Sequence, residues 1–384
     1  MLRSEKQILP ARLDYKSIAE RLERVARFEC ARAPKIAVVG DFCLDKYLYL
    51  YPALDEKSVE TGKTAYQVRA KRLFAGVGGT IANNLRALGA ETYCFGVVGE
   101  DGEGFDLLRA LKKVGANVDG IVVSDEILTG AYVKPMRPET TSGEPFPAPN
   151  SGVWIEGDRY DTRNPTPVPT KLIDALKQKF LAQITQFDAV IVSDQFPNGS
   201  EAIFSREFRN FLADVADANP DLFFMCDSRF FVDEYRNALV KCNANELFDA
   251  YRANVAGGVR KETTLDVDAE SKTREICVAG EWLARRNGRP ALITRGAQGS
   301  ILVEVEDDEA RFVAVPANPV EPPIDICGAG DATNAGLAFA KSLGFSLVES
   351  AYLAGVVSSI TIKQIGVTGV ASVAQILEIL HKRA

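Results

Sequence analysis

The chain has 384 residues, 46% hydrophobic and 25% charged, which is enough apolar material to bury a core and argues against extended disorder. Its formal net charge of -7 argues against nucleic acid as the main partner, because neutralising a phosphate backbone takes a dense basic footprint. The one histidine, His381, lies at the C-terminal end beside Lys382 and Arg383. This nearly excludes a Ser-His-Asp triad, a histidine-activated thiol or a histidine-held metal, all of which need an imidazole fixed in a pocket.

Chemistry is therefore left to carboxylates, lysine, arginine, backbone amides and oxygen-bound Mg2+. The seven cysteines, Cys30, Cys43, Cys94, Cys226, Cys242, Cys277 and Cys327, include no C-x-x-C pair. They suggest neither a zinc site nor a disulfide framework, and they fit a reducing cytoplasm. The N-terminal residues have no apolar run of signal-peptide length, and no stretch reaches the roughly 18 apolar residues of a membrane span. The expected location is cytoplasmic, away from membranes.

In chain order, residues 15–30 predict an amphipathic helix, and residues 1–33 are expected to form a helical extension ahead of a body spanning 34–384. The first strong strand is Lys35–Gly40, ending at Asp41. Further apolar runs at Thr92–Val98, Ala189–Val192, Leu222–Cys226, Ala291–Thr294 and Ser300–Val305 predict strands. Helical patterns lie between or after them at 102–115, 171–184, 200–216, 270–286 and 330–343. This alternation predicts an α/β fold, a mainly parallel sheet with helices on both faces.

Segments 46–75 and 125–170 break the rhythm. Short strands at Tyr132–Lys134 and Val153–Ile155 predict a small β lid, and the five prolines between Pro135 and Pro149 predict an exposed loop. Open lid edges would pair two subunits into a homodimer.

The strongest chemical signal is Gly328-Ala329-Gly330-Asp331 opening a small-residue helix. A glycine turn at a helix start gathers free N–H groups and the positive end of the helix at one point, which suits phosphate or developing negative charge. A carboxylate placed there needs a task, and accepting the proton of an attacking hydroxyl is one; serving as an ordinary first-turn acid is the alternative. An aspartate starts near 3.9 and a helix N-terminus should lower it, so Asp331 is expected to be ionised at pH 7.

A second glycine cluster, Gly78 and Gly79, opens a helix carrying Asn83. Asp41 and Asp45 follow the first strand, where ligands sit in open α/β sheets. Asn243-x-x-Glu246 would hold metal-bound water or serve as a first-turn acid. Thr294, Gly296 and Gly299 mark a turn between two strands.

Together these motifs resemble those of the ribokinase-like carbohydrate kinases, the PfkB family, across residues 34–380. The resemblance implies Asp331 as catalytic base, with the amides of Gly328, Ala329 and Gly330 as an anion hole. It implies sugar contacts at Asp45, Gly78, Gly79 and Asn83, with Asp41 beside them. ATP would lie against Thr294, Gly296 and Gly299; Asn243 and Glu246 would organise Mg2+ and phosphate, Glu246 through water, and Asp325 would support K+.

Gly40-Asp41-x-x-Leu44-Asp45-Lys46-Tyr47, Asp194 and Asp227-Ser-Arg229 are most similar to the heptose-phosphate kinase branch. The 135–150 insertion and Arg229 in place of lysine depart from it, and no nucleotidyltransferase domain is expected to follow. Lys46, Lys134, Arg137, Arg159 and Arg163 are available to a phosphorylated substrate. A dinucleotide oxidoreductase fails on Thr333 at the last glycine position of G-x-G-x-x-G, and no Walker A sequence occurs. A catalytically silent sugar- or nucleotide-binding regulator is the standing alternative.

Overall fold

The computed structural model describes residues 7–27, 32–139, 148, 154–164, 166–196, 203–255 and 269–384. The chain opens with β1 (Ile8–Pro10), α1 (Tyr15–Ala26) and β2 (Lys35–Gly40), and then runs straight into β3 (Phe42–Leu50). After β4 (Glu56–Lys57), β5 (Thr64–Ala65) and β6 (Val68–Val77) come α2 (Gly78–Leu88), β7 (Glu91–Gly99), α3 (Gly102–Lys113) and β8 (Asn117–Ser124). Next are β9 (Gly130–Pro138), β10 (Trp154–Glu156), β11 (Tyr160–Thr162), α4 (Thr170–Leu181), β12 (Ala189–Asp194), α5 (Arg206–Ala218), β13 (Phe223–Ser228) and β14 (Leu239–Asn243). The rest is α6 (Ala244–Val255), α7 (Ala269–Asn287), β15 (Ala291–Thr294), β16 (Ser300–Glu306), β17 (Glu309–Val315), α8 (Ala329–Ser342), α9 (Leu347–Thr361) and α10 (Val373–His381).

Among the described residues the main sheet has ten strands in the order β1-β17-β16-β15-β14-β13-β12-β2-β7-β8. It is parallel from β15 through β8, and antiparallel where β16 and β17 turn back. Its central strands alternate between two cores, as a doubly covered sheet requires. Ile36 and Val38 face α1, α2 and α8 to α10, whereas Ala37 and Val39 face α4 to α7. The expected α/β body with a mainly parallel sheet is therefore present.

Two local expectations are corrected. The N-terminal segment is part of the body, since β1 pairs with β17 and Ile18 and Leu22 of α1 are buried in the core. The lid expected over 46–75 and 125–170 is centred on β3, which leaves the main sheet after Asp41 and runs antiparallel to β6 and parallel to β9. Pro135 and Pro138 sit inside β9 rather than in an exposed loop. The later part of the proline-rich insertion, 140–147 and 149–153, lies outside the described residues, as do residues 200–202 of the helix expected at 200–216, whose described helical part starts at Arg206.

Candidate active site

The site gathers at the carboxyl ends of the parallel strands, between that edge and the lid. Gly328 adopts φ 76°, a left-handed conformation open to glycine at little cost, and caps α8. Ala329, Gly330 and Asp331 form the first turn of α8; the Ala329 N–H donates to the Ile326 carbonyl at 3.1 Å, whereas those of Gly330 and Asp331 point out of the helix end. A side chain at Gly330 would stand 3.4 Å from Lys241 Nζ, so the helix start passes directly over that ammonium group.

Lys241 is a residue the sequence reading missed. It sits on β14, two positions before Asn243, and nothing in its local sequence marks it. The structure buries it and pairs its Nζ with Asp227 Oδ2 at 2.6 Å, while Asn334 Nδ2 of α8 donates to the same oxygen at 2.7 Å. Burial opposes the charge on Lys241, but Asp227 and Glu246 outweigh it and hold the ammonium above its usual range. A buried ion pair backed by a further hydrogen bond thus fixes a cation beneath the helix start.

Asp331 is half-buried and makes no hydrogen bond or ion pair among the described residues. The expectation of a lowered pKa is overturned. Burial first, then the neighbouring Asp227 carboxylate, raise Asp331 to about 7, against the opposing pull of Lys241 and Arg229. Loss of water around the group and like charge exceed the helix-end effect. A carboxyl poised near neutrality can take a proton from a hydroxyl placed before it.

Asn243 and Glu246 form a reciprocal cap on α6. Asn243 Oδ1 accepts from the N–H groups of Asn245 (2.9 Å) and Glu246 (3.0 Å), and Glu246 Oε2 accepts from the N–H of Asn243 at 2.8 Å. Asn243 therefore spends its carbonyl on positioning Glu246. Burial and then Asp227 push Glu246 up to about 7. The Asp227 carboxylate thus acts on both Glu246 and Asp331, but among the described residues no three acidic, His or Cys side chains come together as a set that could hold a metal ion by themselves.

Beside this cluster Thr294, Gly296 and Gly299 line a cleft of about 280 Å³ together with Ala329, Gly330, Thr333 and Gly355. Thr294 Oγ1 donates to the Cys242 carbonyl at 3.3 Å. A side chain at Gly355, in the middle of α9, would meet nothing within 4 Å and would project into open space. Asp325 braces the loop between helices: Oδ1 accepts from Cys327 N–H and Oδ2 from Gly366 N–H, both at 3.0 Å.

On the lid side Asp45 lies in β3, with Oδ1 3.1 Å from Lys134 Nζ on β9. Gly76, diagonal to it on β6, makes room, because a side chain there would come within 2.6 Å of Asp45 Oδ2. Asn83 is half-buried on α2. Gly78 and Gly79 are closely packed: a side chain at Gly78 would strike Asp41 and Phe42, and one at Gly79 would strike Ala75.

Asp41 also departs from expectation. It is buried, and its Oδ2 accepts from the N–H groups of Gln195 and Phe196, each at 2.9 Å. Burial and then Asp194 push it up to about 8. Oδ2 ties the end of β2 to the turn after β12, while Oδ1 is buried without a hydrogen-bond partner among the described residues. Asp194 is likewise internal, accepting from Ser228 Oγ and Tyr235 Oη.

Of the cations expected near the lid, Lys46 pairs with Glu103, and Arg159 and Arg163 with Asp161. Arg137 falls on the strand face opposite Lys134 by alternation along β9.

The model of the pfkB family carbohydrate kinases matches residues 33–141 and 238–373. Among curated proteins the chain is similar to bifunctional protein HldE of Sulfurimonas denitrificans, 27% identical over 353 residues, covering 91% of this chain and 65% of that one. HldE of Helicobacter hepaticus is 26% identical, covering 91% of this chain and 64% of its own. The chain thus spans less than two thirds of the length of these two relatives.

Among solved structures, Arabidopsis thaliana ribokinase complexed with ribose and ATP superposes with a TM-score of 0.61 at 18% identity, covering 91% of this chain and 99% of that one. Escherichia coli phosphofructokinase-2 in complex with potassium gives 0.62 at 16% identity, with 91% and 99% covered. Both likenesses show a shared ribokinase-like fold. With the family's model matched across both halves of the α/β body, the chain belongs to the pfkB family of carbohydrate kinases.

Proposed function

We propose that this chain transfers the γ-phosphoryl group of ATP to a hydroxyl of a sugar or sugar phosphate, with a heptose phosphate as the acceptor favoured by the branch resemblance. The observation that carries the reading is Asp331: an unpartnered carboxylate raised to about 7, in the first turn of α8, between the 280 Å³ cleft and the lid face of Asp45. In the proposed reaction the acceptor hydroxyl gives its proton to Asp331 and its oxygen bonds to the γ-phosphorus. The bond from that phosphorus to the β-bridging oxygen breaks, and ADP leaves with the electron pair.

The N–H groups of Gly330 and Asp331, with Lys241 beneath them, stabilise charge on the transferring group. Glu246, set by the Asn243 cap, and Asp227 would hold Mg2+ through water and nucleotide oxygens; the ion supplies charge neutralisation between the phosphates. The adenine side of ATP takes the cleft lined by Thr294, Gly296, Gly299 and Gly355. Asp45 and Asn83 contact sugar hydroxyls.

Two finer parts belong to the same reading. A K+ ion would lie by the loop that Asp325 braces, read out as K+-dependent turnover. Lid edges such as that of β6 would pair two subunits, read out as a dimer in light scattering.

The test is Mg-ATP consumption against a panel of free sugars, nucleosides and sugar phosphates including heptose 7-phosphate, with Asp331→Ala as control. Turnover that vanishes in the variant supports the assignment. Stabilisation by a sugar with no ATP turnover would favour a silent binding protein instead.

A further inference from the structure

The lid carries a cation that the proposed chemistry leaves unused. Arg72 of β6 is directly opposite Tyr47 of β3, and Tyr47 is directly opposite Lys134 of β9. Directly opposite residues present their side chains to one face, so the three form a row on the face that also carries Asp45. Contacts run along that row: Arg72 lies 4.9 Å from the Phe74 ring centre, Phe74 meets Tyr47 edge-on at 5.7 Å, and Lys134 Nζ is 3.1 Å from the Tyr47 hydroxyl. This face looks toward the turn before α8, where Asp45 acts on Asp331 and Lys134 on Cys327.

Arg72 differs from its neighbours in having no acceptor. Lys134 is balanced by Asp45, and Lys46 by Glu103. Arg72 makes no ion pair or hydrogen bond with a described residue, and its Nη1 is buried without a partner. A buried charged donor without an acceptor is costly, and a ligand oxygen would satisfy it. With Lys134 and Asp45 cancelling, Arg72 adds one uncompensated positive charge to this row.

We propose that Arg72, with Lys134 across Tyr47, forms the subsite for the phosphate ester of a sugar-phosphate acceptor. This deepens the kinase reading and rests on it. The guanidinium offers paired N–H groups in a fixed fork suited to phosphate, and the Phe74 ring holds its plane. The Arg72–Tyr47–Lys134 row lies two residues along the strands from the Phe74–Asp45–Tyr132 row, about 7 Å further from the main sheet. The acceptor therefore carries its ester on a carbon distant from the hydroxyl that meets Asp331.

The experiment compares wild type, Arg72→Gln and Arg72→Lys with Mg-ATP on six- and seven-carbon sugar phosphates and on the same sugars without the ester. The expected result is a wild-type preference for the esters and, in Arg72→Gln, a KM for them raised roughly 10- to 100-fold with kcat and the ATP KM within about two-fold. Arg72→Lys recovers part of the loss, and KM for the free sugars stays as in wild type. Inorganic phosphate competes with the sugar phosphate in wild type and does so more weakly in Arg72→Gln. An unaltered thermal midpoint confirms that the variant is folded.

An unchanged ester KM in Arg72→Gln, an equal loss on free sugars, or a wild type that prefers free sugars would overturn the subsite and leave the kinase reading standing. A wild type that turns over nothing in the panel removes both.

Discussion

The two sides of the cleft are built from different materials. The nucleotide side is mostly backbone: the Gly328 turn, the first amides of α8 and the Gly296–Gly299 turn, stiffened by the buried Lys241–Asp227 pair. The lid side is mostly side chains, rows set by the register of β6, β3 and β9. Backbone sites are generic and suit the triphosphate that related kinases share, whereas side-chain rows can change without disturbing the fold and so can set which acceptor is taken. Substitutions on the nucleotide side should therefore affect chemistry or ATP, and substitutions on the lid only the acceptor.

The sharpest test of that division is Asp331→Asn, expected to lower kcat about 10³- to 10⁴-fold while ATP affinity is retained. Near-normal turnover in steady-state assays would remove the base from this position. Next, Lys241→Gln leaves Asp227 buried without its cation. The expected cost is about 3–5 kcal/mol of stability by denaturant unfolding, with part regained in the Lys241→Gln, Asp227→Asn double variant; a stability unchanged in the single variant would show that the pair does not stiffen this side.

Gly355→Leu should separate binding from folding. A leucine projecting into the cleft is expected to raise the ATP KM roughly 10- to 100-fold, while better helix propensity leaves the thermal midpoint equal or higher. An unaltered ATP KM would place the nucleotide elsewhere, and a raised acceptor KM would blur the proposed division.

The smallest effect is in pH. Because Asp331 must be deprotonated to act as the base, kcat/KM should fall about tenfold per unit below its pKa of about 7 in the free enzyme. The sign for stability is opposite. The folded state keeps a proton that the unfolded carboxyl loses near 3.9, so between about 4 and about 7 the ligand-free protein should lose stability as pH rises. An activity limb near pH 4 would mean that the helix end, not burial, sets this group.

Much of the nucleotide side was legible in the sequence because its parts are contiguous. Gly328-Ala329-Gly330-Asp331 and Asn243-x-x-Glu246 are short strings whose geometry is local: a left-handed turn before a helix and a reciprocal helix cap. The alternation of strands and helices also gave the fold class. What escaped was long-range. Arg72, Tyr47 and Lys134 are far apart in sequence and meet only through register. Lys241 looks like one more residue of a buried strand, and Asp41, adjacent to the expected sugar ligands, is drawn under the cleft by two backbone N–H groups.

By itself the sequence determined the α/β class and the placing of Asp331 at a helix start, since periodicity and short glycine turns act over a few residues. Only the tertiary structure decided that Asp331 is held near neutrality, that Asp41 is internal, and that Arg72 shares a face with Asp45 with its Nη1 buried and without a partner among the described residues. Those properties depend on burial, on charges brought near from other strands and on strand register, none of which is set by neighbours in the chain.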